Sequence, residues 1–283
     1  MTPTFIRKPG TPVLNVKEKA GVTFLTFPSL EQTGLVKHAF STRLGGVSKG
    51  DYATMNFSFT RGDRKEDVLE NYSRMAKALE VDRGRMVLTW QTHTTNVRRV
   101  TERDAGKGVI RDRDYRDVDG LITDIPGMTL VTFFADCVPL YFLDPVHRAI
   151  GLSHSGWRGT VNRMGAVTLL AMEREFGTRP EDVIACVGPS ICKSCYEVGE
   201  EVAEEFFSAF SPDCHHEMLE RKENGKYLLD LWAANRIVLT QAGIQNEHLS
   251  VTDICTYCNP ELLFSYRRSA ERRGNLCAFL SLK

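Results

Sequence analysis

Apolar and polar positions along this chain follow two periods, and the switches between them outline a succession of strands and helices. Val22–Phe27 and Val36–Phe40 are apolar runs of strand length, the second followed by the turn Leu44-Gly45-Gly46. Over residues 65–79, Val68, Tyr72, Met75 and Leu79 recur at helical spacing, which predicts an amphipathic helix with Asp63 as its cap. Arg85–Trp90 and Val97–Thr101 are predicted strands on either side of a polar loop. Met128–Ala135, Leu140–Leu143 and Ala149–Ser153 are continuous apolar runs too short for independent helices, so they read as buried strands, with Asp144-Pro145 as a turn. A helical pattern covers Val161–Phe176 and is closed by Gly177 and Pro180. Val183–Val187 is a predicted strand, Gly199–Phe210 and Leu231–Ala242 are predicted helices, and Phe264 to Leu282 is β-like. Strands and helices interleave, but hairpin-like neighbours such as Met128–Ala135 and Leu140–Leu143 favour a mixed sheet over a doubly wound one. The expected class is therefore α+β. No repeat, low-complexity tract or linker marks a boundary, so 1–283 reads as one domain, with 1–20 as a poorly structured N-terminal extension.

Composition narrows the class without changing this outline. With 42% hydrophobic and 25% charged residues the chain matches globular averages. Lys+Arg and Asp+Glu stand at 36 each, which argues against nucleic acid or a polybasic membrane surface as a partner. The start, from Met1 to Val16, is polar and broken by Pro3, Pro9 and Pro12; it has no apolar core of a signal peptide, and no run reaches spanning length. Eight cysteines without such a leader read as thiols or ligands, and the expected compartment is the cytoplasm.

Three metal-ligand candidates each stand just beyond a predicted strand: His93 after Met86–Trp90, Cys137 after Leu130–Ala135, and His154 after Ile150–Ser153. Strand ends are rigid platforms, and two imidazoles with one thiolate suit zinc while leaving a fourth position open for chemistry. The same ligand types also admit copper. An ordinary core cysteine with two hydrogen-bonded histidines is the plain alternative, but Gln91-Thr92-His93, Ala135-Asp136-Cys137 and His154-Ser155-Gly156-Trp157-Arg158-Gly159 surround the candidates with polar groups and glycines that a core does not call for. The turn from Ser153 into the helix that follows, with Arg158, offers N–H groups and charge to an anion; Ser41-Thr42-Arg43 and Ser265-Tyr266-Arg267-Arg268 bring further cations. Solvation of a surface explains each arginine equally well at this level. Cys192-x2-Cys195 and Cys255-x2-Cys258 are about sixty residues apart, several times the usual gap of a shared zinc site, so the spacing favours separate buried or reactive thiols. His215-His216-Glu217 contains the H-x-E of base deaminases but follows the first cysteine pair instead of preceding it, so that motif fails.

Read together, His38-Ala39-Phe40-Ser41-Thr42-Arg43-Leu44-Gly45-Gly46, Trp90-Gln91-Thr92-His93, Asp119-Gly120-Leu121-Ile122-Thr123, Ala135-Asp136-Cys137-Val138-Pro139-Leu140 and His154-Ser155-Gly156-Trp157-Arg158-Gly159-Thr160 resemble the laccase-domain proteins, also called polyphenol-oxidase-like or peptidoglycan-editing proteins. Gly188-Pro189-Ser190-Ile191, Tyr196-Glu197-Val198-Gly199, Asp253-Ile254-Cys255-Thr256 and Phe264-Ser265-Tyr266-Arg267-Arg268 continue the likeness to the C-terminus. The resemblance implies a four-layer α/β/β/α sandwich with mixed sheets, and a monomer. It implies His93, Cys137 and His154 as ligands of zinc, with copper as the older assignment. It also implies phosphorolysis of adenosine, inosine, guanosine and methylthioadenosine, with adenosine deamination as companion and copper-dependent phenol oxidation as an older label. On this reading Cys137, Asp136 and Arg268 are catalytic, while Arg43, Asn56, Gln91 and Arg158 bind nucleoside and phosphate. Arg43, Arg158 and Arg268 would clamp phosphate, and Asp136 would hold a ribose hydroxyl or orient a ligand. One departure is visible: the family's closing motif ends in Gly-Arg, and this chain has Gly274-Asn275. Three other classes compete. A multicopper oxidase needs His-x-His pairs, and the seven histidines here form none. A hydrolase could act through Cys137 with His93 or His154 as base. A binding protein would turn over nothing.

Overall fold

Most of the apolar runs are apolar on both faces because both faces of their sheets are covered. In the computed structural model, which describes residues 3–283, they form two six-stranded sheets. The first runs Asn15–Lys19, Val22–Thr26, Val36–Ser41, Leu276–Leu282, Thr129–Phe134 and Met86–Leu88 in spatial order, antiparallel except for its last pair. The second runs Leu249–Val251, Ile184–Val187, Val138–Asp144, Ala149–Ser155, Gly120–Thr123 and Val97–Arg99, parallel at its two outer pairs and antiparallel between. Both sheets are mixed, as expected. A small antiparallel sheet of Glu197–Val198, Tyr227–Leu229 and Leu219–Arg221 stands apart.

Side-chain alternation shows how the layers stack. Along Leu276–Leu282, Leu276, Ala278, Leu280 and Leu282 pack inward with Tyr141, Leu143, Ile150 and Leu152 of the second sheet. Cys277 and Phe279 point the other way, onto Val68, Tyr72 and Met75 of the helix Lys65–Leu79. Leu140 and Phe142 pack outward from the second sheet against Leu169 and Met172 of the helix Met164–Phe176, and Ile237 and Val238 of the helix Leu231–Gln241 join them. The order is helix, sheet, sheet, helix: the four-layer sandwich.

Several local expectations are corrected. Residues 3–20 are not a loose extension. Residues 1 and 2 lie outside the described residues, but Phe5 and Leu14 are buried, Arg7 pairs with Asp253 at 2.6 Å, and Asn15–Lys19 is an edge strand. The segment bends at residues 9–11 before it reaches the sheet, and the prolines only keep it out of regular structure until then. The helical pattern over 161–176 is two helices, Trp157–Val161 and Met164–Phe176, because Arg163 takes a left-handed conformation between them. Asp63 caps nothing; its carboxylate accepts from Asn56 Nδ2 at 2.9 Å, and the residue before the helix is Arg64. The β-like C-terminal region is a strand only over Leu276–Leu282, with a short helix at Tyr266–Ser269. No helix among the described residues is long and apolar enough to cross a membrane.

Candidate active site

The three ligand candidates meet where the two sheets open. His93 lies on the loop after Met86–Leu88, Cys137 on the turn joining Thr129–Phe134 to Val138–Asp144, and His154 inside the strand Ala149–Ser155, one step earlier than a strand-end position. One donor atom from each lies within 4.8 Å of the others, and Cys137 Sγ is 4.0 Å from His93 Nε2. An ion with bonds of about 2.0–2.3 Å in tetrahedral geometry separates its ligands by about 3.5 Å, so the set is close to closing on a single ion. His93 is exposed, Cys137 half-buried and His154 buried, so the site opens to solvent on the His93 side.

Two carboxylates hold this geometry. Asp119, fully buried, accepts from the backbone N–H of Thr92, His93 and Thr94 at 3.0, 3.1 and 3.0 Å, which fixes the left-handed turn at His93. It also takes His154 Nδ1 at 2.8 Å, so that ring keeps its proton there and turns Nε2 toward Cys137. Asp136 carries a left-handed φ of 85° and is held by Thr256 Oγ1 at 2.6 Å, Ser265 Oγ at 3.0 Å and Arg267 N at 2.6 Å. Its carboxylate is occupied by these donors. Asp136 therefore braces the Cys137 turn.

Charge follows from the same contacts. Burial alone would raise the Cys137 thiol, but the His154 charge and hydrogen bond, then His93, bring it down to about 6. Burial would lower His154, and the Cys137 thiolate with the Asp119 hydrogen bond instead raise it to about 9. Burial works to raise Asp119 too, yet His154 and the three N–H donors hold it below the ordinary carboxylate value. Gly156 closes the floor: a Cβ there would stand 3.0 Å from Cys137 Sγ and 3.1 Å from His93 Cδ2. A thiolate, two correctly presented imidazoles and a buried carboxylate behind one of them are a donor set that fits a metal ion.

The donors sit at one end of a cavity of about 300 Å³, the size range of small-molecule sites. Trp90, Phe59, Phe133 and Phe134 give it aromatic walls, and Arg61, Arg113 and Arg273 give it cations. Arg113 stacks on Trp90 at 4.6 Å, and burial lowers its pKa. Arg273 is buried, with its Nε unpartnered; burial brings its pKa down to about 10. Arg273 thus brings a largely buried cation to the cavity lining, a charge that an anion there would offset.

The expected phosphate clamp is placed differently. Arg158 is exposed and lies over its neighbour Trp157 at 4.3 Å. Arg43 donates to the Ala53 and Pro260 carbonyls at 2.8 Å each, and Arg268 donates to the Tyr257 carbonyl at 2.9 Å. Arg43 and Arg268 line a second cavity of about 180 Å³, which Arg273 also borders. None of the three lines the cavity that holds the donor set. Gln91 does line it, with its amide tied to Phe133 N and O. Asn56 is buried outside the lining, where its Oδ1 accepts from Ser58 N and Asn275 N. It positions Asn275, whose carboxamide accepts from Arg273 Nη1. Asn275, which stands at the Gly-Arg position, thus holds the arginine just before the glycine, Arg273. Asp119, Arg61, Arg113 and Arg273 belong to the site although the sequence does not mark them as site residues. Asp119 was visible only as part of a motif, and the arginines lie in polar stretches with no periodic signal.

The four remaining site-type cysteines are also corrected. Cys192, Cys195, Cys255 and Cys258 come together, one sulfur of each within 4.8 Å of the others, despite their separation along the chain.

Comparison with known proteins agrees with the fold and the motifs. The family model described as multi-copper polyphenol oxidoreductase laccase matches residues 37–283. A purine nucleoside phosphorylase of Bacteroides thetaiotaomicron is 38% identical over 253 residues, covering 89% of this chain and 93% of its own. A protein named adenosine deaminase RL5, from an unknown prokaryotic organism, is 34% identical over 83% of this chain and 90% of its own. The crystal structure of YlmD from Geobacillus stearothermophilus superposes with a TM-score of 0.87 at 32% identity, covering 96% of this chain and 99% of the other. The chain therefore belongs to the multi-copper polyphenol oxidoreductase laccase family, whose laccase-domain members its motifs resemble.

Proposed function

We propose that this chain is a zinc-dependent purine nucleoside phosphorylase, with adenosine deamination as a companion activity, acting as a one-domain cytoplasmic monomer. The observation that carries the reading is the joint lining of one cavity by the His93–Cys137–His154 donors, aromatic walls, and the largely buried cation Arg273. Support for the substrate comes from the relatives named for purine nucleoside phosphorolysis and adenosine deamination.

The residues divide the work as follows. Trp90 and the phenylalanines offer flat apolar surfaces to a purine ring. Arg273, with Arg113 and Arg61, holds phosphate near the ribose, where one of its oxygens attacks C1′. The C1′–N9 bond breaks, its electron pair goes to the purine nitrogen, and the proton given up by the attacking hydrogenphosphate ends on that purine, so that ribose 1-phosphate and neutral base leave. His93, Cys137 and His154 would hold zinc, with Asp119 fixing the His154 tautomer. When bound, the ion supplies Lewis-acid chemistry and a nucleophile at neutral pH, which suits deamination. Arg43, Arg158 and Arg268 have no part in this phosphate site; Gln91 shapes the cavity wall.

The test uses protein whose metal content has been measured, incubated with inosine and adenosine with and without phosphate, and separately with copper and a phenol. Hypoxanthine release that requires phosphate supports the reading. Base release indifferent to phosphate, or turnover only of the phenol with copper, overturns it.

A further inference from the structure

We infer that Cys192, Cys195, Cys255 and Cys258 form a second metal site, a closed four-thiolate cage for one tetrahedral ion, with zinc as its occupant. The site is separate from the His93–Cys137–His154 set, and nothing in it depends on which reaction that set serves.

The topology explains why sequence separation is no obstacle. Ile184–Val187 and Leu249–Val251 are parallel neighbours, paired Val187 to Val251. Both chains leave the sheet at the same end, and a parallel bridge between Ser190 and Cys255 keeps them together. Each loop then turns tightly at its Cys-x-x-Cys: Cys195 N–H bonds the Cys192 carbonyl at 3.0 Å and Asn259 N–H the Thr256 carbonyl at 3.4 Å, while Thr256 N–H bonds the Ser190 carbonyl of the neighbouring loop at 3.1 Å. Two such turns side by side bring four sulfurs to one point.

Distances decide the kind of occupant. An ion with metal–sulfur bonds of about 2.3 Å spreads four tetrahedral sulfurs about 3.8 Å apart. Here Cys195 and Cys258 sulfurs are 3.5 Å apart, and no pair of the four exceeds 4.8 Å. That is too close to enclose a multi-iron cluster, whose cysteines stand outside the metal core. Four sulfur ligands suit zinc or a single iron over harder ions.

The surroundings also suit thiolates. Cys192 N–H donates to Cys255 Sγ at 3.3 Å, and Ser194 Oγ lies 3.4 Å from Cys192 Sγ. Lys8 Nζ donates to Ser194 Oγ at 2.9 Å, which brings one ammonium beside these sulfurs. One lysine cannot balance four thiolates. A divalent ion can, and loading it releases up to four protons.

All four ligand positions come from the protein, so the site is structural. It joins three segments: the loop at Cys192–Cys195, the loop at Cys255–Cys258, and the N-terminal stretch, where Arg7 bridges to Ile254 and Ile6 N–H bonds Asn259 Oδ1 at 2.7 Å. Thr256, inside the second cysteine loop, holds Asp136 and through it the Cys137 turn. The cage would anchor the brace of the active site.

The test is metal counting on the full chain, purified under reducing conditions without chelator. We expect two equivalents in the wild type. We expect one in Cys137→Ala, and one in the double variant Cys195→Ser/Cys258→Ser, which changes only the two half-buried cysteines. If the double variant does not fold, the wild type and Cys137→Ala still decide the matter. Cobalt loaded into Cys137→Ala should give the intense sulfur-to-metal absorption of several thiolates. One equivalent in the wild type and none in Cys137→Ala would overturn the inference. So would a disulfide between Cys195 and Cys258 in protein never exposed to oxidant.

Discussion

Asp119→Asn is the sharpest single perturbation of the donor set. Oδ1 of Asp119 accepts from His154 Nδ1 at 2.8 Å and His93 N at 3.1 Å. Oδ2 accepts from Thr92 N, Thr94 N and Thr94 Oγ1, each at 3.0 Å. A carboxylate accepts at both oxygens; a carboxamide accepts at one and donates at the other. The new NH2 must face either three donors or two, and the two-donor side is less costly. There it opposes His154 Nδ1–H, and the ring can relieve the clash by moving its proton to Nε2. That consumes the lone pair facing Cys137, so metal binding must force the proton back. Two charge-assisted hydrogen bonds at about 1.5–3 kcal/mol each are lost, and the new bond to Nδ1 returns part. The expected net loss of stability is about 2–4 kcal/mol. Loss of a partner behind a metal-bound histidine lowers affinity about 10–100-fold. Competition against a chromogenic chelator reads the affinity, and urea unfolding of metal-free protein reads the stability. Affinity within about threefold of wild type, with the stability loss present, would refute the argument that Asp119 sets the tautomer.

Three further outcomes follow from other contacts. Arg273→Ala should raise the phosphate KM about 10–100-fold, the worth of a charge-assisted bond, and leave the nucleoside KM nearly unchanged, with Arg273→Lys between; steady-state kinetics showing the reverse split would count against the anion site. Gly156→Ala, at an ordinary φ of −73°, should weaken metal binding while circular dichroism stays native, since its Cβ presses on Cys137 and His93; unchanged chelator competition would contradict this. His38 is buried, accepts from Phe27 N at 2.8 Å, and is brought down to about 4 chiefly by burial. Below its ordinary value of 6.5 the unfolded chain takes a proton that the folded ring refuses. Stability present above that pH is lost toward pH 4, by about 3 kcal/mol over the window. Denaturant melts of His38→Gln should lack that part of the slope.

What the sequence disclosed depended on whether a feature was local. The helix Lys65–Leu79 was legible to the residue because one side faces the core and the other solvent, so the period is plain. The central strands were legible as apolar runs because both their faces are covered. The donor set was legible because polar and glycine residues interrupt those runs just where the sheet opens. The break at Arg163 was not, since a left-handed residue inside an apolar helical pattern leaves no trace in the pattern. The arginines on the donor cavity were hidden for a different reason. Gly-flanked arginines drew the eye to Arg43 and Arg158, whereas Arg273 and Arg113 reach the cavity from loops whose path only the tertiary fold sets. The cysteine pairs show the same limit: spacing along a chain says nothing about two loops that leave parallel neighbouring strands together.

The central claim is that phosphate, and not water, takes the ribose from the purine. Inosine turnover in ¹⁸O-enriched water with unlabelled phosphate tests it most directly, read by mass spectrometry of the sugar product. The account predicts ribose 1-phosphate equimolar with hypoxanthine, with no ¹⁸O on C1′. Free ribose carrying ¹⁸O, with phosphate left unconsumed, would contradict it.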